Sequence, residues 1–224
     1  MQYTNKFGTI QVLPPTKFFH KKTIAVSMSG GVDSTMLCYL LANTINEKKL
    51  KTVIQPYNGY DLWAPIDSAG VPDIVNYIRE KFPEVDIRWP ISAIFNTDGN
   101  TVDDKNTYIR PLIETLQRKK VVDLVMNGIS HGPAIDVQKT FLDGGTTCRL
   151  FRLPGEELWN EVERAVDHLS PFKHVDKRFI VQCYKDFGIE DLLKMTNSCT
   201  APQGNCGECW WCQERAWAIK TVFS

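Results

Sequence analysis

Ser29-Gly30-Gly31-Val32-Asp33-Ser34-Thr35 decides how this chain is read. It follows the apolar run Thr23-Ile24-Ala25-Val26 and precedes Met36-Leu37-Cys38-Tyr39-Leu40-Leu41-Ala42. That order predicts a strand, a tight hydroxyl-rich Gly-Gly turn and then a helix. Such a turn suits phosphate. Two glycines remove the side chains that keep an anion from backbone N–H groups. The helix start adds unpaired N–H donors and the positive end of its dipole. Ser29, Ser34 and Thr35 each offer an O–H. Asp33 is the odd member, because a carboxylate repels phosphate. It makes sense as a helix cap or as the holder of a magnesium ion that touches the phosphates. No Lys is present, so this is not a Walker A loop. The bland alternative is ordinary loop chemistry between a strand and a helix.

Outward from the loop, residues 22–28 read as a first core strand. The helix expected over about 34–46 carries Met36, Leu37, Leu40 and Leu41 on one buried face. Thr52 to Tyr57 reads as a second strand that ends in a turn at Asn58-Gly59. A helix follows from Val71 to about Phe82, then a third strand over Asp86–Ile91. Another helix spans about Lys105 to Lys119. The nearly continuous apolar run from Val121 to Ile129 suits a parallel strand covered on both faces. Alternating strands and helices imply an α/β fold with a doubly wound parallel sheet. Ligands of such sheets bind beyond the carboxyl ends of the strands. The loop, Tyr57-Asn58 and Asn127-Gly128-Ile129-Ser130 all fall at such ends and should line one crevice. Gly132 to Pro154 reads as a long irregular connection. Helices are expected over Glu156–Val166, Val175–Phe187, Glu190–Lys194 and Gln213–Val222. Three regions result: an N-terminal arm (1–21) with an edge strand at Gly8–Leu13, an α/β domain (22–154) and a C-terminal helical metal-binding unit (155–224).

The composition narrows the function classes. The chain has 224 residues, of which 43% are apolar, enough for one substantial core. Lys+Arg and Asp+Glu are both 26, so no general field draws nucleic acid or an anionic membrane. The basic run Arg118-Lys119-Lys120 reads equally well as a solvated helix end. No apolar stretch approaches the roughly 18–20 residues of a membrane span. Met1 to Lys22 lacks the apolar core of a signal peptide. A cytoplasmic location is the expectation.

Cys199, Cys206, Cys209 and Cys212 stand at C-x6-C-x2-C-x2-C spacing. Without a secretion signal, this pattern indicates metal and not disulfides. Four thiolates suit a closed tetrahedral zinc site, and Gly204 and Gly207 permit the turns that converge them. An iron–sulfur cluster is the alternative, with free thiols behind it. With four sulfur ligands the ion would have no open position, so its expected role is to clamp the last helix. Cys38, Cys148 and Cys183 read as small apolar packing. His20, His131, His168 and His174 are scattered. Only His131 is expected to face the crevice, and an ordinary loop role suits it better than catalysis.

The loop resembles the SGGxDS signature of the PP-loop ATP pyrophosphatases at every fixed position. The two motifs together resemble the 7-cyano-7-deazaguanine synthases. In that family Ser-Cys opens the cluster, Cys-Gly-x-Cys-x-x-Cys closes it and Arg-Ala-aromatic follows. Here these are Ser198-Cys199, Cys206-Gly207-Glu208-Cys209-Trp210-Trp211-Cys212 and Arg215-Ala216-Trp217. Pro171, Lys177, Ile180, Gly188 and Thr196 also fit. The likeness covers about 22–60, 105–130 and 170–218, some two-thirds of the chain.

The resemblance implies an adenine nucleotide α-hydrolase-like fold with a zinc-binding subdomain, and ATP, Mg2+ and Zn2+ as its cofactors. ATP would lie against Ser27, Met28, Ser29, Gly30, Gly31, Asp33, Ser34 and Thr35. Tyr57, Asn58, Arg110 and Gly128 would complete its site, and Asp33 and Ser34 would serve catalysis. The implied reaction adenylates the carboxylate of 7-carboxy-7-deazaguanine, and ammonia then displaces AMP. A second ATP would carry the amide to the nitrile. The family's Tyr-Pro-Asp-Cys-Arg element is absent, with Phe141-Leu142-Asp143-Gly144-Gly145 or Thr147-Cys148-Arg149 in that stretch. Its Tyr-Gly-Gln turn is Tyr57-Asn58-Gly59 here, and its Arg-Asn pair is reduced to Arg110-Pro111. ATP and metal therefore carry over better than the deazaguanine pocket. Rival readings are an amide ligase for another acid, amine or deazapurine, a tRNA-modifying PP-loop enzyme, and a non-catalytic nucleotide-binding partner. The N-terminal arm and Trp210-Trp211 are consistent with a homodimer and equally with core.

Overall fold

The computed structural model describes residues 1–13, 22–63, 66–96, 102–141, 168–199, 201 and 204–224. Two strands, β1 (Gln2–Asn5) and β2 (Gly8–Gln11), form an antiparallel hairpin. The main sheet begins with β3 (Thr23–Ser27), followed by α1 (Val32–Lys48) and β4 (Val53–Asp61). Then come α2 (Ile66–Ala69), α3 (Val71–Lys81), β5 (Ile91–Phe95), α4 (Val102–Arg118) and β6 (Leu124–Met126). The remainder comprises α5 (Ile135–Gln138), β7 (His168–Leu169), α6 (Lys177–Asp186), α7 (Glu190–Met195) and α8 (Trp210–Phe223).

The sheet order is β5-β4-β3-β6-β7 and every pairing is parallel. The chain starts in the middle, builds outward through β4 and β5, then returns to the other side of β3. Its direction therefore reverses between β3 and β6, the place where such sheets open a crevice. Asp123 fixes the lower edge there, its Oδ2 accepting from the N–H groups of Lys22 and Thr23, both at 2.9 Å.

The sheet is covered on both faces. Ile24, Val26, Ile54, Leu124 and Met126 pack with α1, α3, α6 and α7. Ala25, Tyr57 and Val125 point the other way, against Ile109, Ile113 and Leu116 of α4. The period-two split is what a twice-covered strand requires. One face of α1 is expected to be buried, yet every residue from Ser34 to Ile45 is buried. The hairpin supplies part of the extra cover. Tyr3 donates its hydroxyl to Leu40 O (3.1 Å), receives the Asn43 amide (3.1 Å) and packs edge-on to Phe187.

Four expectations change. Asn58-Gly59 is not a turn: β4 runs through it to Asp61. A Cβ on Gly59 would meet Ile109 Cδ1 at 2.6 Å and Phe95 Cε1 at 2.8 Å, so the glycine is there to let α4 approach. The third strand lies later than 86–91, because Ile87 makes only an isolated bridge to Ile54. The apolar run 121–129 holds just three strand residues. β2 pairs with β1 and not with the main sheet. Four elements lacked a sequence signal: β1, the one-turn helices α2 and α5, and the two-residue β7; α5 falls in the connection expected to be irregular from Gly132, and β7 lies within the 155–224 stretch. The helix expected at Glu156–Val166 and the stretch 142–154, with Cys148 and Arg149, lie outside the described residues.

Candidate nucleotide and metal sites

The chain leaves β3 at Ser27, and Met28 N–H donates to Tyr57 O at 2.8 Å. Gly30 takes φ +78°, a left-handed conformation that only glycine adopts cheaply. This turns Gly31 into the first position before α1. No side chain caps α1 at Gly31. The loop is instead held by its own hydroxyls. Ser34 Oγ accepts from Ser29 N–H (3.2 Å), sits 3.2 Å from Ser29 Oγ and donates to Gly31 O (3.3 Å). Ser29 is exposed while Ser34 is buried. The arrangement gathers O–H groups at the positive end of a helix whose first N–H groups lack a side-chain cap.

Gly128 builds the opposite wall. A Cβ there would stand 2.7 Å from Ser34 N and 2.8 Å from Asp33 C, both backbone atoms of the first turn of α1. The strand-end segment after β6 thus lies directly on the loop. Ser130, fully buried, donates its hydroxyl to Asp33 Oδ2 at 3.2 Å. Asn127 orders the neighbouring rim, its side-chain oxygen accepting from Ser170 Oγ (2.8 Å) and Ile129 N–H (3.2 Å).

Asp33 has a partner that sequence reading did not assign to the site. The ammonium of Lys177 donates to both of its oxygens, at 2.8 and 2.9 Å. The same Nζ lies 3.3 Å from Glu214 Oε2. Lys177 and Glu214 side chains are 3% and 0% exposed, that of Asp33 14%. A buried ammonium persists only when paired, and here two carboxylates share it. The ammonium is the cation that Asp33 holds in this structure. The resemblance singles out Lys177, which opens α6, but gives it no role, and nothing marks Glu214 apart from the other polar residues of α8.

The other expected contacts divide. Ser27 closes β3 beside Tyr57, whose phenol burial pushes up to about 12. Met28 is buried in the core, and Thr35 is fully buried beside Tyr184, away from the mouth. Tyr184 donates its hydroxyl to Val32 O at 2.9 Å and so anchors the first turn of α1. Asn58 is buried and accepts from Ser92 Oγ at 2.6 Å. Arg110 is exposed midway along α4, apart from the contacts of the loop. His131 is half-buried, its N–H donating to Val175 O and its ring nitrogen against Gly132 O. His168 meets the Asn127 amide at 2.6 Å. The structure thus brings Ser29, Gly30, Gly31, Asp33, Ser34 and Gly128 together and turns Met28 and Thr35 inward.

The sulfur atoms of Cys199, Cys206, Cys209 and Cys212 all lie within 4.8 Å of one another. Tetrahedral zinc with Zn–S near 2.3 Å sets sulfurs about 3.8 Å apart, so the four fit such an ion. Backbone N–H groups already point at sulfur: Ala201 and Cys206 donate to Cys199 Sγ at 3.4 Å, and Cys209 to Cys206 Sγ at 3.3 Å. Such donors favour the thiolate, and those from Cys209 and Glu208 bring Cys206 down to about 7. Burial pushes Cys212 up to about 12. Trp210, the first residue of α8, is fully buried and edge-on to Phe141 at 4.8 Å. Arg215 is half-turned into the core and donates to Thr196 O and Leu193 O, fixing α8 against α7. Among the described residues, no helix is long and apolar enough to cross a membrane.

No protein-family model matches the chain, and no curated protein matches it. Solved structures similar to it in part include a thiolase, a stress protein and a synthetase. The U34-tRNA thiolase NcsA from Methanococcus maripaludis, with its 4Fe-4S cluster, is 13% identical over 89% of this chain, with a TM-score of 0.46. The chain spans 64% of that thiolase. A universal stress protein in complex with cAMP is 18% identical over 67% of this chain and 95% of its own, with a TM-score of 0.36. NAD+ synthetase from Burkholderia pseudomallei is 10% identical over 91% of this chain and 80% of its own, with a TM-score of 0.35. All three TM-scores lie below 0.5, so the reading of the site rests on its own geometry.

Proposed function

We propose that this chain is an ATP-dependent ligase that adenylates a carboxylate and releases pyrophosphate. One observation carries the reading: Gly128 presses the segment after β6 against an uncapped first turn of α1, with Asp33 beside it, at the switch point of a parallel sheet. The N–H groups of that turn and the hydroxyls of Ser29 and Ser34 hold the β- and γ-phosphates of ATP. Asp33 would hold magnesium, which would supply positive charge to the phosphates. The α-phosphorus is left open to the attacking carboxylate oxygen, and pyrophosphate leaves as one unit. The chain acts by positioning and charge stabilisation, with no histidine required as acid or base.

The substrate reading rests on the resemblance carried by the loop and the cysteine cluster. It is 7-carboxy-7-deazaguanine with ammonia, giving first an acyl adenylate, then the amide with loss of AMP, and with a second ATP the nitrile. The cluster holds zinc as a structural ion, four sulfurs leaving it no open position. Four closely set thiols suit a reducing, cytoplasmic setting. The test is incubation with ATP, Mg2+, ammonia and the 7-carboxy acid. AMP, pyrophosphate and nitrile are expected, and Asp33→Asn should abolish pyrophosphate release. AMP with amide alone would move the assignment to a divergent amide ligase. No AMP with any acid, in protein that retains its metal, would reject the ligase reading.

A further inference from the structure

The cysteine cluster is tied to the phosphate loop from both of its flanks. Just before Cys199, Asn197 N–H donates to Gly30 O at 2.9 Å. Just after Cys212, Glu214 reaches the Lys177 ammonium, which holds both oxygens of Asp33. The second tie is a buried chain of three charges, carboxylate–ammonium–carboxylate, running from α8 through the first residue of α6 to the first turn of α1. Its net charge is one negative, carried by groups that water barely reaches.

That charge count has a consequence for any cation at Asp33. The Lys177 ammonium takes a lone pair on each Asp33 oxygen and Ser130 one more on Oδ2, so a divalent ion at this carboxylate competes with the ammonium. A displaced ammonium in a dry site needs another carboxylate. Glu214 is that carboxylate, already 3.3 Å away and fully buried. It is fixed by α8, whose start is set by the cysteines and whose Arg215 is bonded to the end of α7. We propose that Glu214 is a positioning residue which, through Lys177, couples the four-cysteine cluster to the loop by making Asp33 available to a divalent cation.

This inference rests on the nucleotide-binding reading above, and its test separates the two. Calorimetric affinities are measured for ATP in buffer freed of divalent cations, without chelator, and for ATP with Mn2+ on metal-loaded full-length protein. Their ratio isolates the cation's contribution from the phosphate contacts. Asp33→Asn should collapse the wild-type ratio. If it does not, both readings fall. Glu214→Gln should lower the ratio at least about tenfold with ATP affinity in the absence of divalent cation retained, and Glu214→Asp should recover part of it. In a Lys177→Met background the same Glu214→Gln change should have no further effect. A collapse with Asp33→Asn but an unchanged ratio with Glu214→Gln sinks this inference alone. So does a Glu214→Gln effect that persists without Lys177. Should Glu214→Gln not fold, Lys177→Met/Glu214→Gln replaces it, having no buried ammonium in want of a partner. Its ratio should equal or exceed wild type, because Asp33 then has no rival; a lower one overturns the proposal.

Discussion

Adding one methyl group at Gly128 tests the geometry of the site most directly. The new Cβ would lie 2.7 Å from Ser34 N, 2.8 Å from Asp33 C and 3.0 Å from Asp33 O. All three are backbone atoms in the first turn of a buried helix, so no flexible side chain can swing aside. The helix start must move by several tenths of an ångström. Overpacking of this kind costs about 1–3 kcal/mol, a Tm loss of about 2–12 °C for a chain of this size. Gly59→Ala is the control. Its Cβ meets Ile109 Cδ1 at 2.6 Å and Phe95 Cε1 at 2.8 Å, side-chain atoms on the α4 face. Both variants should lose stability, but only Gly128→Ala should lose ATP affinity, by about tenfold or more, since a small misplacement of donors is expensive. Thermal melts and ATP calorimetry on the two proteins decide it. Wild-type ATP affinity in a destabilised Gly128→Ala protein would refute the placement of phosphate against that turn. Equal losses of affinity in both variants would refute it as well.

Three further outcomes are expected. Tyr184→Phe removes a buried 2.9 Å bond to Val32 O and should cost about 1–2 kcal/mol, with weakened ATP binding because Val32 begins the same turn; denaturant melts and calorimetry measure both. Tyr3→Phe leaves Asn43 and Thr44 of α1 short of a partner and should cost about 1–3 kcal/mol without changing ATP affinity, which marks the hairpin as a cover for α1. Metal analysis should find one ion on the cysteine cluster. Its chelation should expose Trp210, seen as a red-shifted fluorescence, and should be faster at low pH because protons compete for the thiolates.

The parts legible in the sequence are those with local causes. Ser29 to Thr35 announced a strand–turn–helix because glycines, hydroxyls and flanking apolar runs act over a few residues. The cysteines announced a metal site because their ligand spacing is itself local, and the structure does gather all four sulfurs. What was missed depends on contacts far apart in the chain. Lys177 and Asp33 are 144 residues apart, and no periodicity links them. The hairpin strand β1 has no apolar alternation of its own, and the hydroxyl of Tyr3 ties it to α1. Thr35 looked like a phosphate ligand by composition, but the helical repeat turns it into the core beside Tyr184.

The misread turn at Asn58-Gly59 matters most for the crevice. Asn-Gly is a strong turn signal in a hairpin, where both residues adopt positive φ. Here the pair sits inside a parallel strand, and neither residue is left-handed. Ser27 pairs with Tyr57, and Tyr57 pairs with Ile91. All of β5 therefore lies level with or beyond the end of β3. The rim of the sheet is stepped: β3 and β6 stop at Ser27 and Met126, while β4 and β5 climb four residues further to Asp61 and Phe95. The loop emerges at the foot of that step. A ligand seated on it has a wall of strand on the β4 side and the Asn127–Ser130 segment on the other, so its two ends meet different surfaces. On the proposed reading, with the phosphates at the foot of the step, the two ends of a nucleoside triphosphate would meet these two different walls.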